Sequence, residues 1–159
     1  MRRTLATLAA ALAAPLSGLA AAPECRGTIS GEVRGDFRCA AAITTTDDGT
    51  RVFEIRALDA IEGVPAYAPG AFEVPGPVSA RTYTLDELGM GRASVAAEGG
   101  TLFTAQKTSS QRGEVTLVLA SVRPEGRVPG AYAVHGTYRA RLLPAGAGKK
   151  GEVVVEVRF

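Results

Sequence analysis

The chain of 159 residues contains no tryptophan, a single histidine, two cysteines and few aromatic residues. One histidine and two cysteines fall short of the four ligands of a structural zinc site, which argues against a metal centre. The sequence also lacks a Gly-x-Ser-x-Gly nucleophile motif, a phosphate-binding glycine loop and a histidine pair at metal-binding spacing. His135, the single histidine, has no catalytic partner that a motif identifies. We therefore predict that the protein is not an enzyme and binds no cofactor and no metal.

Long hydrophobic runs are missing apart from one at the N-terminus. There, two arginines precede an alanine- and leucine-rich run that leads into small residues, with candidate cleavage sites after Ala20 and Ala21. A basic start, a short apolar middle and a small-residue end are typical of a secretory signal peptide. The run is too short and too alanine-rich to serve as a secure transmembrane anchor. We predict a cleaved signal peptide over 1–21 and a single exported domain over 22–159, periplasmic or extracellular and without a transmembrane anchor.

An excess of charge of one sign is also missing. The chain has 18 basic and 16 acidic residues, and removal of 1–21 takes away Arg2 and Arg3 but no acidic residue, which leaves 16 of each. A neutral domain without a basic run lacks the electrostatic footprint of a protein that binds nucleic acid or anionic lipid. We predict no nucleic-acid partner, and expect the partner to be an envelope protein or a surface ligand.

The two cysteines, Cys25 and Cys39, lie in a chain that is predicted to enter an oxidising compartment. Exported domains commonly use such pairs as disulfides, which is the interpretation we favour over two separate buried thiols. A turn near Gly31 to Gly35 would bring the two cysteines opposite each other on neighbouring strands.

The clearest pattern in the chain runs from Tyr132 to Phe159. Apolar residues occupy alternate positions in two runs, separated by a Pro- and Gly-rich break, which predicts a β-hairpin with one face in the core. Pairing Tyr138 with Val157 puts apolar residues together on one face, and the same register sets Arg139 opposite Glu156 on the other. A shift by one residue would place apolar side chains opposite charged ones, so the pattern specifies the register.

Shorter alternating runs separated by turn signals cover the rest of the domain. We predict an all-β, antiparallel β-sandwich of about eight or nine short strands, with a partly closed barrel as the alternative. The segment 117–120 is apolar on both faces and predicts a central strand covered on both sides. Thr84 and Glu87 have the spacing of a capping box, which predicts one helical turn over 85–88.

The segment 59–80 breaks the alternation, because prolines and glycines punctuate it. A loop of this length is uncommon in a compact domain and is often functional or mobile. Within it, 71–74 could form a short edge strand. Tyr67 and Phe72 are candidate residues of a binding loop, and the alternative is that they pack the loop onto the core.

Several stretches of the chain resemble uncharacterised envelope β-sandwich proteins of GC-rich Gram-negative bacteria. They are Cys25-Arg-Gly-Thr-Ile-Ser-Gly31 with Cys39, Gly113-Glu-Val-Thr-Leu, His135-Gly-Thr-Tyr-Arg-Ala-Arg-Leu142 and Gly151-Glu-Val-Val-Val-Glu-Val-Arg-Phe159. The resemblance implies a β-sandwich in the bacterial envelope and identifies no catalytic residue. Many such proteins are lipoproteins, but Pro23-Glu24 before Cys25 departs from the lipid-attachment motif, so the resemblance does not extend to a lipid anchor.

These observations favour a non-catalytic binding or interaction module that uses the 59–80 segment and the sheet edges. The alternative is a purely structural envelope component without a small ligand. A cluster of exposed aromatic residues beside a concave sheet favours binding, whereas a closed surface favours the structural role.

Overall fold

The computed structural model describes residues 24–159, and the predicted signal peptide over 1–21 lies outside this range. Within it the chain forms ten β-strands and no helix. In chain order they are β1 (Arg26–Gly31), β2 (Gly35–Thr45), β3 (Arg51–Ala57), β4 (Ala66–Glu73), β5 (Thr82–Thr84), β6 (Gly91–Ala96), β7 (Leu102–Ala105), β8 (Glu114–Pro124), β9 (Tyr132–Pro144) and β10 (Val153–Arg158). All strand pairs are antiparallel, so the predicted all-β antiparallel class is confirmed, with more strands than expected.

Eight of these strands close into a barrel, which corrects the predicted β-sandwich. The order around the ring is β10, β1, β2, β3, β4, β6, β7 and β9, and β9 pairs with β10 to complete it. The other two strands, β8 and β5, are not among the eight strands of the ring. β8 pairs with β9, and β5 pairs with β8 as the last strand of the sheet. The sequence pattern does not separate the two architectures, because alternation shows which face is covered and not whether the sheet closes.

The thirteen-residue strand β9 makes the closure possible, because it pairs with both β8 and β7 as well as with β10. The β8–β9 ladder has a register shift between Leu119 and Ser121, close to Gly136. A Cβ at Gly136 would collide with the carbonyl oxygen of Val118. Bulges and strand glycines let a strand bend and let backbones approach closely. β9 can therefore curve from one set of neighbours to the next.

The C-terminal hairpin has the predicted register. Val157 faces Tyr138 and Glu156 faces Arg139 across the β9–β10 ladder. Val155 and Val157 are buried, and the Arg139 guanidinium lies 3.1 Å from the Glu156 carboxylate on the exposed face. The hairpin is part of the ring and not an appendage, because β10 pairs with β1 along its other edge.

The barrel interior is filled by side chains. Phe53 lies at its centre, with ring centroids 6.0 Å from Tyr138 and 5.4 Å from Phe159. Further fully buried residues come from the ring strands β2, β4, β6, β9 and β10, from β5 and β8, and from the turn after β5: Ile43, Phe72, Tyr83, Leu88, Val95, Leu117, Leu119, Leu142, Val153 and Val155. A ring of eight strands is just wide enough for side chains to fill, and here they do.

The disulfide joins the N-terminal end of the domain to β2. Cys25 and Cys39 form the bond, with their Cα atoms 4.9 Å apart, and the Cys39 N–H also donates to the Cys25 carbonyl over 3.0 Å. The turn between β1 and β2 spans 32–34, inside the predicted Gly31–Gly35 interval.

Three local expectations are wrong. The segment 59–80 is not one long loop, because β4 occupies 66–73 and pairs with β3 on one side and β6 on the other. The segment 117–120 is covered on one face only, since Ala120 is exposed and Val118 half-buried. The predicted helical turn after Thr84 is a hydrogen-bonded turn without a helix, although the capping box is present, with Glu87 accepting from the Thr84 N–H over 2.9 Å.

Candidate binding trough on the outer face

The residues proposed as a binding loop are built into the barrel wall. Phe72 has no exposed surface and belongs to the core, so no ligand can reach it in this structure. Tyr67 is half-buried, packs edge-on against Phe37 at 5.4 Å between centroids, and donates its hydroxyl to the Asp59 carbonyl. Burial and the nearby Asp59 carboxylate raise the pKa of Tyr67. Tyr67 and Phe72 therefore match the alternative prediction that they pack onto the core, and they form no aromatic binding surface.

The other aromatic residues and the histidine form no site either. Tyr83 and Tyr138 are buried and Tyr132 is half-buried, so these tyrosines present no fully exposed platform for a sugar ring. His135 is half-buried, and its Nδ1 has no hydrogen-bond partner among residues 24–159. It lines a groove of about 300 Å³ with Cys25, Cys39 and apolar neighbours, and no side-chain hydroxyl, free thiol or side-chain carboxylate lines this groove.

Carboxylates in the described residues serve local structure. Asp48 accepts from the Thr46 hydroxyl and from the Thr50 N–H in the β2–β3 turn, and these hydrogen bonds lower its pKa. The Thr84 N–H and hydroxyl donate to Glu87 and lower its pKa in the same way. In residues 24–159, no three His, Cys, Asp or Glu side chains come together as a metal site, and no helix there is long and apolar enough to cross a bilayer.

A groove of about 540 Å³ lies outside the barrel over β1, β10, β9 and β8. Its outer lining is mostly arginine, threonine and glutamate, together with Val118, and the buried Tyr138 and Val157 lie beneath: Arg26, Thr28, Thr116, Thr137, Arg139, Glu156 and Arg158. Alternation explains the composition, because every second residue of these strands faces outward while its neighbours enter the core.

Two smaller grooves adjoin this one. A groove of about 410 Å³ shares Arg26 and Thr28 with it and continues over β2 to Arg38 and Asp59. A groove of about 360 Å³ shares Thr116 with it and continues to the turn that follows β5. Together they form one outer trough, which runs across β2, β1, β10, β9, β8 and β5. Six strands at about 4.8 Å spacing give it a length of about 24 Å.

The strand registers arrange the trough in two transverse rows of outward-facing residues. The first row is Arg38, Arg26, Arg158, Thr137, Val118 and Thr82. The second row is Asp36, Thr28, Glu156, Arg139, Thr116 and Thr84. The first row is therefore cationic at its end over β2, β1 and β10, and the second row is mixed in charge. Hydroxyl groups dominate the end of the two rows that lies over β8 and β5.

Three ion pairs neutralise most of this charge. Arg38 contacts Asp59 at 2.7 Å and Arg26 contacts Glu24 at 2.7 Å, in addition to the Arg139–Glu156 pair. Hydrogen bonds from the Arg38 guanidinium and N–H lower the pKa of Asp59.

The sequence alone did not predict this trough, although its alternation placed several of the trough residues on the outer face. The alternation correctly placed residues such as Arg139, Arg141 and Glu156 on the outer face. The missing information was which strands are neighbours: β1 is far from β10 in the chain but pairs with it along its whole length. Arg26, Arg158 and Thr137 form one row only because β1 pairs with β10 when the barrel closes.

The chain itself blocks the free edge of β5 at Thr84. The outward N–H of Thr84 is taken by the Glu87 carboxylate, and the Thr84 carbonyl accepts from the N–H groups of Glu87 and Leu88. Occupied backbone groups cannot pair with an incoming strand, so strand addition is blocked at Thr84.

Comparison of the chain with protein-family models, with curated proteins and with solved structures finds no match.

Proposed function

We propose that the protein is a non-catalytic binding module that holds an extended polar polymer, a polysaccharide of the cell envelope, in the outer trough. The observation that carries the proposal is that the three grooves adjoin one another: they share Arg26, Thr28 and Thr116, and their lining residues together span six strands. A filled barrel offers no interior site for a small ligand, which leaves the outer surface for recognition.

The trough suits a polysaccharide better than a peptide. A peptide gains affinity from main-chain pairing at a sheet edge, and the backbone groups beneath the trough are already used in the strand ladders. At the β5 edge, Glu87 occupies the outward N–H of Thr84. What the trough presents instead is hydroxyl and guanidinium groups, which suit the hydroxyl and acidic groups of a sugar chain. The lack of exposed aromatic rings in it means that hydrogen bonds, and not ring stacking, would supply the affinity.

The proposed location is the periplasm or the cell exterior. The Cys25–Cys39 disulfide supports an oxidising compartment, as does the signal-like N-terminal segment. Intact-mass analysis of the exported protein should show the loss of about the first 20 to 22 residues, as signal-peptide cleavage requires. A retained N-terminus would contradict the proposed export route.

Loss of hydroxyl groups from the trough tests the binding proposal. The double variant Thr28→Ala/Thr137→Ala removes two donors from the 540 Å³ groove, and Thr44→Ala is the control because Thr44 faces outward at the far end of β2. Two hydrogen bonds of about 0.5–1.5 kcal/mol each predict a loss of about tenfold in affinity for an envelope oligosaccharide. Titration calorimetry with purified envelope oligosaccharides measures it, and Thr44→Ala should bind like the parent.

Two outcomes would overturn the proposal. One is tight binding of the same oligosaccharide by the parent and the double variant alike, which would place the site elsewhere. The other is binding of extended acidic peptides but of no oligosaccharide, which would make the partner a protein.

A purely structural envelope component is the second candidate. The closed ring, the filled interior and the disulfide favour it, because they make a rigid body without an internal site. This candidate predicts no binding of any oligosaccharide, so the same calorimetric titration separates the two functions.

A further inference from the structure

The first transverse row sets three arginines side by side. Arg26 stands directly opposite Arg38 on one neighbouring strand and opposite Arg158 on the other. The Cβ atoms of directly opposed residues are about 4.5–5.5 Å apart, and like charges in such positions repel. Asp59 neutralises Arg38 and Glu24 neutralises Arg26. Arg158 forms no ion pair and no side-chain hydrogen bond with any residue from 24 to 159.

The nearest carboxylate on the same strand does not compensate Arg158. Glu156 faces outward two residues earlier but is bonded to the Arg139 guanidinium at 3.1 Å. The register places Thr137 directly beside Arg158 on β9, and Thr28 lies two residues from Arg26 on the same face of β1. All of these side chains line the same 540 Å³ groove. Guanidinium and hydroxyl donors on one surface are the groups that bind carboxylate and phosphate oxygens.

We propose that Arg158, with Arg26 and the hydroxyl groups of Thr28 and Thr137, forms a subsite for an anionic group. The inference rests on the proposed function and makes it more specific: the polysaccharide in the trough carries carboxylate or phosphate groups, and one of them sits over Arg158. A bound anion neutralises Arg158, which has no carboxylate partner among residues 24–159, and so relieves its repulsion with Arg26.

The test compares Arg158→Gln with Arg92→Gln. Arg92 is the matched control because it is also an exposed arginine, and it lies on β6, away from the trough. The probes are an oligogalacturonate, a neutral oligosaccharide of similar length, and inorganic phosphate as a competitor, all at low ionic strength because salt screens exposed charges.

Arg158→Gln should bind oligogalacturonate about 10- to 100-fold more weakly, as expected for loss of a charge-assisted hydrogen bond, while its binding of the neutral probe stays unchanged. Arg92→Gln should bind both probes like the parent. Arg158→Lys, which keeps the charge, should recover part of the loss.

Glu24→Gln should strengthen binding severalfold, because it frees the Arg26 guanidinium. If inorganic phosphate competes with oligogalacturonate, the subsite prefers a phosphate group. If it does not compete, the subsite prefers a carboxylate group.

The outcomes separate the two proposals. If the parent binds charged and neutral oligosaccharides equally and Arg158→Gln binds like the parent, the subsite is wrong while the binding trough stands. If the parent binds neither probe, both proposals are wrong. Urea unfolding provides the structural check: Arg158→Gln should be as stable as the parent or slightly more stable, since it removes a like-charge contact. A clear loss of stability would instead assign Arg158 a structural role and overturn the subsite.

Discussion

Replacing Tyr138 by phenylalanine should stabilise this protein, although it removes a polar group from the core. Tyr138 is 1% exposed, and its hydroxyl has no hydrogen-bond partner among residues 24–159. The hydroxyl is held against β4, where a Cβ added to Gly70 would lie only 2.5 Å from the Tyr138 Oη atom. A buried hydroxyl without a partner has lost its hydration and gained nothing in return.

The expected gain follows from two opposing contributions. Removal of an unsatisfied buried hydroxyl recovers about 1–3 kcal/mol of desolvation cost. The void that the oxygen leaves costs a few tenths of a kcal/mol, at about 24 cal/mol per Å³. Tyr138→Phe should therefore raise the free energy of unfolding by about 1 kcal/mol, and the melting temperature by about 4 °C. Urea unfolding followed by circular dichroism measures the first quantity.

The matched control is Tyr83→Phe. Tyr83 is equally buried, but its hydroxyl donates to the Ser79 carbonyl and accepts from the Ser79 N–H, both at 3.3 Å. Loss of satisfied hydrogen bonds predicts a destabilisation of about 0.5–1.5 kcal/mol. The two variants delete the same atom from the same core and should move stability in opposite directions. If Tyr138→Phe loses stability as Tyr83→Phe does, the hydroxyl has a partner and the reasoning is refuted.

The same residue predicts an alkaline effect. Burial raises the pKa of Tyr138 well above its ordinary value of 10.0. Because the folded-state pKa is the higher one, the unfolded chain ionises this phenol first, so the free energy of unfolding is unaffected by it below pH 10.0 and falls as pH rises further. The parent should lose up to about 1.4 kcal/mol per pH unit from this group, and Tyr138→Phe should lack that contribution.

Three further predictions concern the hairpin and the Asp59 carboxylate. Val157→Asp should unfold the domain, because an unpaired carboxylate in the core costs several kcal/mol against a total stability of about 5–15 kcal/mol; a cooperative urea transition near the parental midpoint would contradict this. Glu156→Ala should cost less than about 1 kcal/mol, since its ion pair with Arg139 is more than half exposed; a larger loss in urea melts would show that the pair does more than a surface salt bridge. Asp59 has a pKa below its ordinary value of 3.8 because Arg38 donates to it, so its contribution to stability is present above pH 3.8 and is lost as pH falls. Asp59→Asn should therefore flatten the fall in urea midpoint in that acid range, and an unchanged slope would contradict the assignment.

The sequence pattern was sufficient to predict local structure where the contacts that determine that structure are close in sequence. The β9–β10 register, its buried valines and its exposed ion pair could be read from the chain, because a one-residue shift would exchange the core face for the solvent face. The capping box at Thr84 was predictable for the same reason, although the turn does not continue into a helix. The disulfide partners needed only the count of cysteines and the predicted compartment.

The 59–80 segment shows where local pattern failed. Prolines and glycines there indicated a loop, yet 66–73 is a strand that pairs on both sides, with a register shift between Ala68 and Ala71. Tertiary pairing overrides weak local preference, and a bulge accommodates the irregular residues. Phe72, a candidate either for the binding loop or for packing onto the core, is for that reason in the core.

By itself, the sequence determined which residues of most strands face the core, the C-terminal hairpin with its register, and an all-β fold without an evident catalytic motif. Only the tertiary structure decided that the sheet closes into a barrel, because closure depends on the pairing of β1 with β10 and of β7 with β9, which are distant along the chain. The same closure decided the candidate site. Arg26 and Arg158 lie at opposite ends of the domain's sequence, and no periodicity in the chain records that they stand directly opposite each other on the outer face of the barrel.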